Sequence, residues 1–235
     1  MAMMSIGIAI LAQDKVADYF YPVDSTIVNI ARIKGIDGKD GEMRAMARVE
    51  LPDSTATKYN LTLSNEMLGI HFVCDNLEIT DSLLTVGMCY AEDNFSKLSN
   101  KAGHFYNVEV LRLPPADGKA EWEAVYWMGG ELFAKKYKMT SERVVLKLTI
   151  GGVETEVPAL RLEGKMSDRF GNRMEFGDFV EFWAKGRGMI LRYSSEGKLM
   201  EYSVEVSNPP LMLDELQAKS CCKSGCCCKA DRQSE

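Results

Sequence analysis

Residues 144–157 read Val-Val-Leu-Lys-Leu-Thr-Ile-Gly-Gly-Val-Glu-Thr-Glu-Val, and this stretch decides the fold class. Val144, Leu146, Leu148 and Ile150 recur at every second position, with Lys147 and Thr149 between them. Successive side chains of a strand point to opposite faces, so the rhythm predicts a half-buried strand. Gly151-Gly152 then separates this run from the next. A two-residue hairpin loop needs φ > 0 at its central positions, which glycine adopts without a steric penalty. The stretch therefore reads as strand, tight turn, strand.

The same period returns on both sides of it. Met43, Ala45, Ala47, Val49 and Leu51 fall on one face, opposite Arg44, Arg48 and Glu50. Tyr59, Leu61 and Leu63 alternate with Asn60, Thr62 and Ser64, and Met200, Tyr202, Val204 and Val206 repeat the pattern. Ser195-Glu196-Gly197 supplies a turn between Ile190–Ser194 and Lys198–Val206, and Asp37–Gly41 supplies another. Helical signals are sparse: Glu92–Lys101 and Leu211–Lys219 are the two expected short helices. The expected fold is all-β with few short helices, a curved antiparallel sheet, half-barrel or barrel-like. Inward positions are rich in Met, Leu, Ala and aromatics, and the chain carries 14 Met. Methionine fills irregular apolar space and also lines adaptable binding surfaces.

Composition bounds the rest. With 235 residues, 46% hydrophobic and 26% charged, the chain is globular and long enough for one all-β domain with a substantial core. The net charge of −6 argues against nucleic acid as a partner, which would favour a basic excess. Residues 1–13, MAMMSIGIAILAQ, are uncharged but too short to span a bilayer, which takes about 20 apolar residues. They fit the apolar region of a secretory signal, with Ile10 and Ala12 at the −3 and −1 positions of a cleavage site. The expectation is a signal-peptide remnant at 1–13 on an exported protein, periplasmic or secreted and not membrane-spanning. Asn208-Pro209-Pro210 divides a single β domain, 14–210, from a Cys-rich tail, 211–235, expected to be disordered. The tail holds four basic and four acidic residues, so the negative charge belongs to the body.

Residues 180–206 read VEFWAKGRGMILRYSSEGKLMEYSVEV. Gly186 and Gly188 permit a tight backbone turn, Phe182 and Trp183 pack on the sheet, and Gly197 serves the next turn. A strand rather than a helix follows the glycines, so the pattern is not a phosphate loop. Trp183 to Tyr202 resembles the end of an uncharacterised TapB-like family of secreted bacterial β-proteins, whose members finish with aromatic-x-A-K-G-x-G-M, a turn and G-K-L-x-x-Y. The aromatic-aromatic-Pro opening of that family is matched by Phe20-Tyr21-Pro22. Val157-Pro158-Ala159 stands where members carry a Pro-Ala-Gly-Thr turn, without the Gly-Thr. The resemblance implies an exported antiparallel fold and brings no catalytic residues.

Seven cysteines remain to be placed. Cys74 and Cys89 lie in the body, either as two buried thiols or, in an oxidising compartment, as a disulfide worth about 3 kcal/mol in chain entropy. Cys221, Cys222, Cys226, Cys227 and Cys228 fall within the tail. Thiolates suit soft ions, so Cu(I) or Zn is the metal this cluster would take, although its spacing departs from the paired C-x₂-C of structural zinc sites. His71 and His104 stand in no catalytic frame, His71 reading as a strand residue. Glu121, Glu123, Glu175, Asp178 and Glu181 are expected to solvate an outer sheet face. No other cofactor is indicated. Non-enzymatic binding of an apolar molecule, a glycan or another extended partner on the curved sheet is the expected function. A thiol-rich metal-sequestering or redox protein acting through the tail is the alternative, and a carboxylate-based hydrolase a third reading.

Overall fold

The computed structural model describes residues 14–34, 39–51, 58–65, 70–93, 105–126 and 135–220. Among them run β1 (Thr26–Lys34), β2 (Asp40–Glu50), β3 (Tyr59–Asn65), β4 (Ile70–Ile79), β5 (Leu83–Asp93), β6 (Phe105–Arg112) and β7 (Lys119–Tyr126). Two long strands follow, β8 (Lys135–Ile150) and β9 (Val153–Asp168). The shorter β10 (Phe179–Ala184), β11 (Gly188–Ser194), β12 (Leu199–Ser203), β13 (Val206–Ser207) and β14 (Ala218–Ser220) complete the set. All belong to one antiparallel sheet, ordered β8-β9-β10-β11-β12-β1-β2-β3-β4-β5-β6. Along its other edge β8 pairs in turn with β7, β14 and β13.

The hairpin read from residues 144–157 is β8–β9, with Gly151 at φ 56° and Gly152 at φ 86°. Val144, Leu146 and Leu148 are buried on one side of β8, as the alternation requires. The sheet curls until its ends approach. Trp122 Nε1 of β7 donates to the Glu109 carbonyl of β6 at 3.0 Å, and Ser141 Oγ donates to the Arg112 carbonyl at 2.6 Å. No ladder joins β6 to β7 among the described residues, so the sheet is curved but not closed into a barrel.

Parity along β8 and β9 sorts residues into two cores. Met139, Leu160 and Leu162 face the concave side with Val49, Leu61, Leu77, Leu84 and Leu111. Leu146, Leu148, Phe182, Leu191 and Tyr193 face the convex side, where Val206, Leu213 and Leu216 cover them. Burying each such side chain contributes about 1.5–3 kcal/mol.

Two register shifts set the chemistry of β11 and β12. Phe182 pairs with Leu191 and Trp183 with Met189, so Ile190 is an extra, bulged residue. Met189 and Arg192 consequently share the concave face, although three residues apart. A second shift, with Arg192 opposite Glu201 and Tyr193 opposite Leu199, makes Met200 the extra residue. The single alternating strand expected from Met200 to Val206 is thereby corrected: Met200 and Val204 are 43% and 47% exposed, and a turn at Val204-Glu205 separates β12 from β13.

Residues 211–220 are also not the expected helix. They form a 3-10 turn, Leu213–Glu215, and then β14, because the stretch of β8 beyond β7 offers an unpaired edge. The body thus continues past Pro210 to residue 220. Glu92 and Asp93 end β5 instead of starting a helix, and Val157–Ala159 lie mid-strand in β9 rather than in a turn. Residues 1–13, 35–38, 94–104 and 221–235, and with them the signal region, the first two residues of the Asp37–Gly41 turn, His104 and the tail cysteines, lie outside the described residues. Among the described residues, no helix is long and apolar enough to cross a membrane.

Candidate functional site

The concave face encloses a cavity of about 420 Å³. Each of β1 to β12 contributes at least one lining residue, so it occupies the axis of the curl. Its walls are mostly apolar: Ala45, Leu61, Leu63, Val86, Val108 and Met139 are typical. A volume in the range of small-molecule sites, apolar walls and a few convergent polar groups are the attributes of a binding pocket.

Phe20, Tyr21 and Trp183 form one side of it. Tyr19, Phe20 and Tyr21 follow the 3-10 turn Val16–Asp18, whose Val16 N–H donates to the Asp81 carbonyl at 2.9 Å. Phe20 stacks on Trp183 with ring centroids 5.6 Å apart, and Tyr21 meets the same indole at 5.2 Å. Gly188, at φ 78°, leaves the space that Tyr21 fills; a Cβ there would overlap the tyrosine ring. Gly186 N–H donates to the Asp18 carbonyl at 2.6 Å. The Phe20-Tyr21 and Trp183–Gly188 segments therefore meet, and Trp183, Gly186 and Gly188 seat the N-terminal aromatics. Gly197, at φ 73°, serves the β11–β12 turn, and its carbonyl accepts from the Leu213 N–H at 2.8 Å.

Asp14 anchors this segment from below. Its carboxylate accepts from Tyr19 Oη at 2.9 Å and Lys185 Nζ at 3.0 Å, with Arg143 Nε 3.8 Å away. Burial works to raise its pKa, but the hydrogen bonds from Lys185 and Tyr19 outweigh it, and the carboxyl titrates below its usual range.

Opposite the apolar walls lies a charged floor. Glu181, Arg192 and Glu201 stand directly across from one another on β10, β11 and β12. Arg192 Nε lies 3.5 Å from Glu181 Oε1, an ion pair without a hydrogen bond. Glu181 Oε2 accepts from Trp183 Nε1 at 2.9 Å. Glu201 Oε1 accepts from Asn29 Nδ2, also at 2.9 Å. Asn29 is 3% exposed, and its Oδ1 has no partner among the described residues. Burial raises the Glu201 pKa, against the smaller opposing pull of Asn29 and Arg192. Burial likewise raises the Tyr21, Tyr126 and Tyr137 phenols, which stay protonated at neutral pH.

Sequence reasoning missed this floor. Glu181 is not on an outer face, and Asn29, Arg192 and Glu201 drew no attention. The signal available was Phe179-x-Glu181-x-Trp183, a charge at the inward parity of an aromatic strand. Glu121 and Glu123 are exposed on β7, whereas Glu175 is exposed in the 3-10 turn Glu175–Gly177 and Asp178, just after it, pairs with Arg173, so neither of these two lies on a sheet face. His71 lies in β4 opposite Ser64 and Glu92. Cys74 lines the cavity and is disulfide-bonded, and the residue directly across the ladder from it is Cys89. Among the described residues no group of three or more His, Cys, Asp or Glu is arranged to hold a metal ion. Comparison with family models, curated proteins and solved structures finds no match to this chain.

Proposed function

We propose that the chain is an exported, non-enzymatic binding protein that holds an apolar ligand inside its curved sheet. The observation that carries this reading is the 420 Å³ cavity to which all of β1–β12 contribute. Interiors of folded domains pack to crystal-like density, so a void of this size with apolar walls forfeits dispersion contacts that a ligand restores. Met46, Met139 and Met189 among its lining side chains suit a ligand of irregular shape. Export is supported by the apolar, uncharged run at 1–13 and by the disulfide at Cys74, a bond that persists in oxidising compartments.

The neutral fluorophore N-phenyl-1-naphthylamine tests the reading. The purified protein should enhance its emission saturably, at one probe per chain. Ala45→Trp, which fills the cavity from β2, should weaken that binding at least tenfold while leaving the circular dichroism unchanged. Failure to enhance emission, or enhancement that Ala45→Trp leaves untouched, would contradict it.

A further inference from the structure

Hydrogen-bonding demand on the floor is lopsided. Both carboxylates already accept from protein donors, Glu181 from the Trp183 indole and Glu201 from the Asn29 amide. Arg192, in contrast, makes no hydrogen bond among the described residues. A guanidinium carries five N–H donors in a planar fork, and here even the buried Nε finds no acceptor within hydrogen-bond reach. Two neighbours hold the fork in place. Glu181 faces its Nε edge, and the Phe179 ring lies over it with the guanidinium carbon 5.3 Å from the ring centroid. Gly164, opposite Phe179 on β9, leaves the room that ring needs, since a Cβ there would collide with it. Nε is sealed from solvent, yet 40% of the side chain is accessible, so the accessible part includes the remainder of the fork where it lines the cavity.

The surrounding groups reinforce the same polarity. Lys135 is a second cation lining the cavity, and the Tyr21 and Tyr137 hydroxyls add neutral donors there. Arg192 and Lys135 face Glu181 and Glu201, so the formal charges balance before any ligand enters. Burial raises the Glu201 pKa, so of the charges on the floor the Glu201 carboxylate is disfavoured by its surroundings.

Resting on the cavity-binding reading above, we propose that Arg192 receives the carboxylate of a single-chain amphiphile whose alkyl tail lies among the apolar walls. The planar fork matches a carboxylate in a bidentate manner, which neither an alcohol nor an ammonium reproduces. An amine would meet carboxylates that each already accept one protein hydrogen bond, and would sit beside two cations.

Calorimetric titration with decanoate, decanol and decylamine at neutral pH separates the cases. The proposal predicts decanoate binding at least tenfold tighter than either of the other two. It further predicts that Arg192→Met removes this preference while decanol affinity stays within a factor of about three, which also shows that the variant is folded. Equal affinity for decanoate and decanol would overturn the head-group assignment and leave the cavity reading intact. Preference for decylamine would overturn it in favour of the carboxylates. Absence of binding by all three would remove the cavity reading and this inference together.

Discussion

Glu201 sits where a carboxylate is expensive, on the concave face beside the cavity, and its raised pKa has a definite consequence for stability. A group titrating higher in the folded than in the unfolded state supports folding while protonated, and that support fades as pH rises through the folded pKa. Glu201→Gln keeps the acceptor for Asn29 and removes the charge. It should raise the melting temperature at pH 8, with the gain shrinking as the pH falls into the range where the carboxyl is protonated in both folded and unfolded states. Thermal melts of both proteins across that range check it, and a destabilised variant at pH 8 would contradict it. Gly188 illustrates a steric rather than an electrostatic constraint. Gly188→Ala combines a positive φ with a clash against Tyr21, and should cost about 3 kcal/mol in urea unfolding. Gly151→Ala, at a similar φ but with nothing within 4 Å, should cost only about 1 kcal/mol. Equal costs would mean that the seating of Tyr21 contributes nothing.

At the level of elements, the sequence was legible wherever a strand kept strict period two. Val144 to Ile150 and the Gly-Gly turn were readable because burial alternates without interruption and glycine has a distinctive backbone requirement. Met200 to Val206 misled because a bulge inverts parity, and a bulge leaves no mark in hydrophobic periodicity. Residues 211–219 misled for another reason: the unpaired edge of β8 lies some 70 residues away in the chain, and local propensity does not register it. Cross-strand chemistry is testable at this scale too. Cys74 and Cys89 are register partners on β4 and β5, a spacing that a disulfide can bridge. Reductant should destabilise the native protein by about 3 kcal/mol, the entropy of the closed loop, and leave Cys74→Ser unaffected. Alkylation of both thiols in unfolded, unreduced protein would refute the pairing.

For the molecule as a whole, curvature joins distant pieces into one device. The aromatics after Val16 pack against Trp183 and Gly188, at the far end of the chain, and twelve strands converge on the same interior. Alternation identified the inward face but not the empty space behind it. Whether facing side chains meet depends on summed volumes across strands that are remote in sequence, and small residues such as Ala45 and Ala47 are as common in tight cores as in cavities. The charged floor was hidden for the same reason, since Glu181, Arg192 and Glu201 become one row only when three strands are in register. The central claim is that this interior is a ligand site rather than a packing defect. A crystal structure of the protein grown with decanoate tests it most directly. The account predicts one alkyl chain among Leu61, Val86 and Met139 with its carboxylate at Arg192. A collapsed interior, with side chains filling the space and ligand density only at the surface, would contradict it.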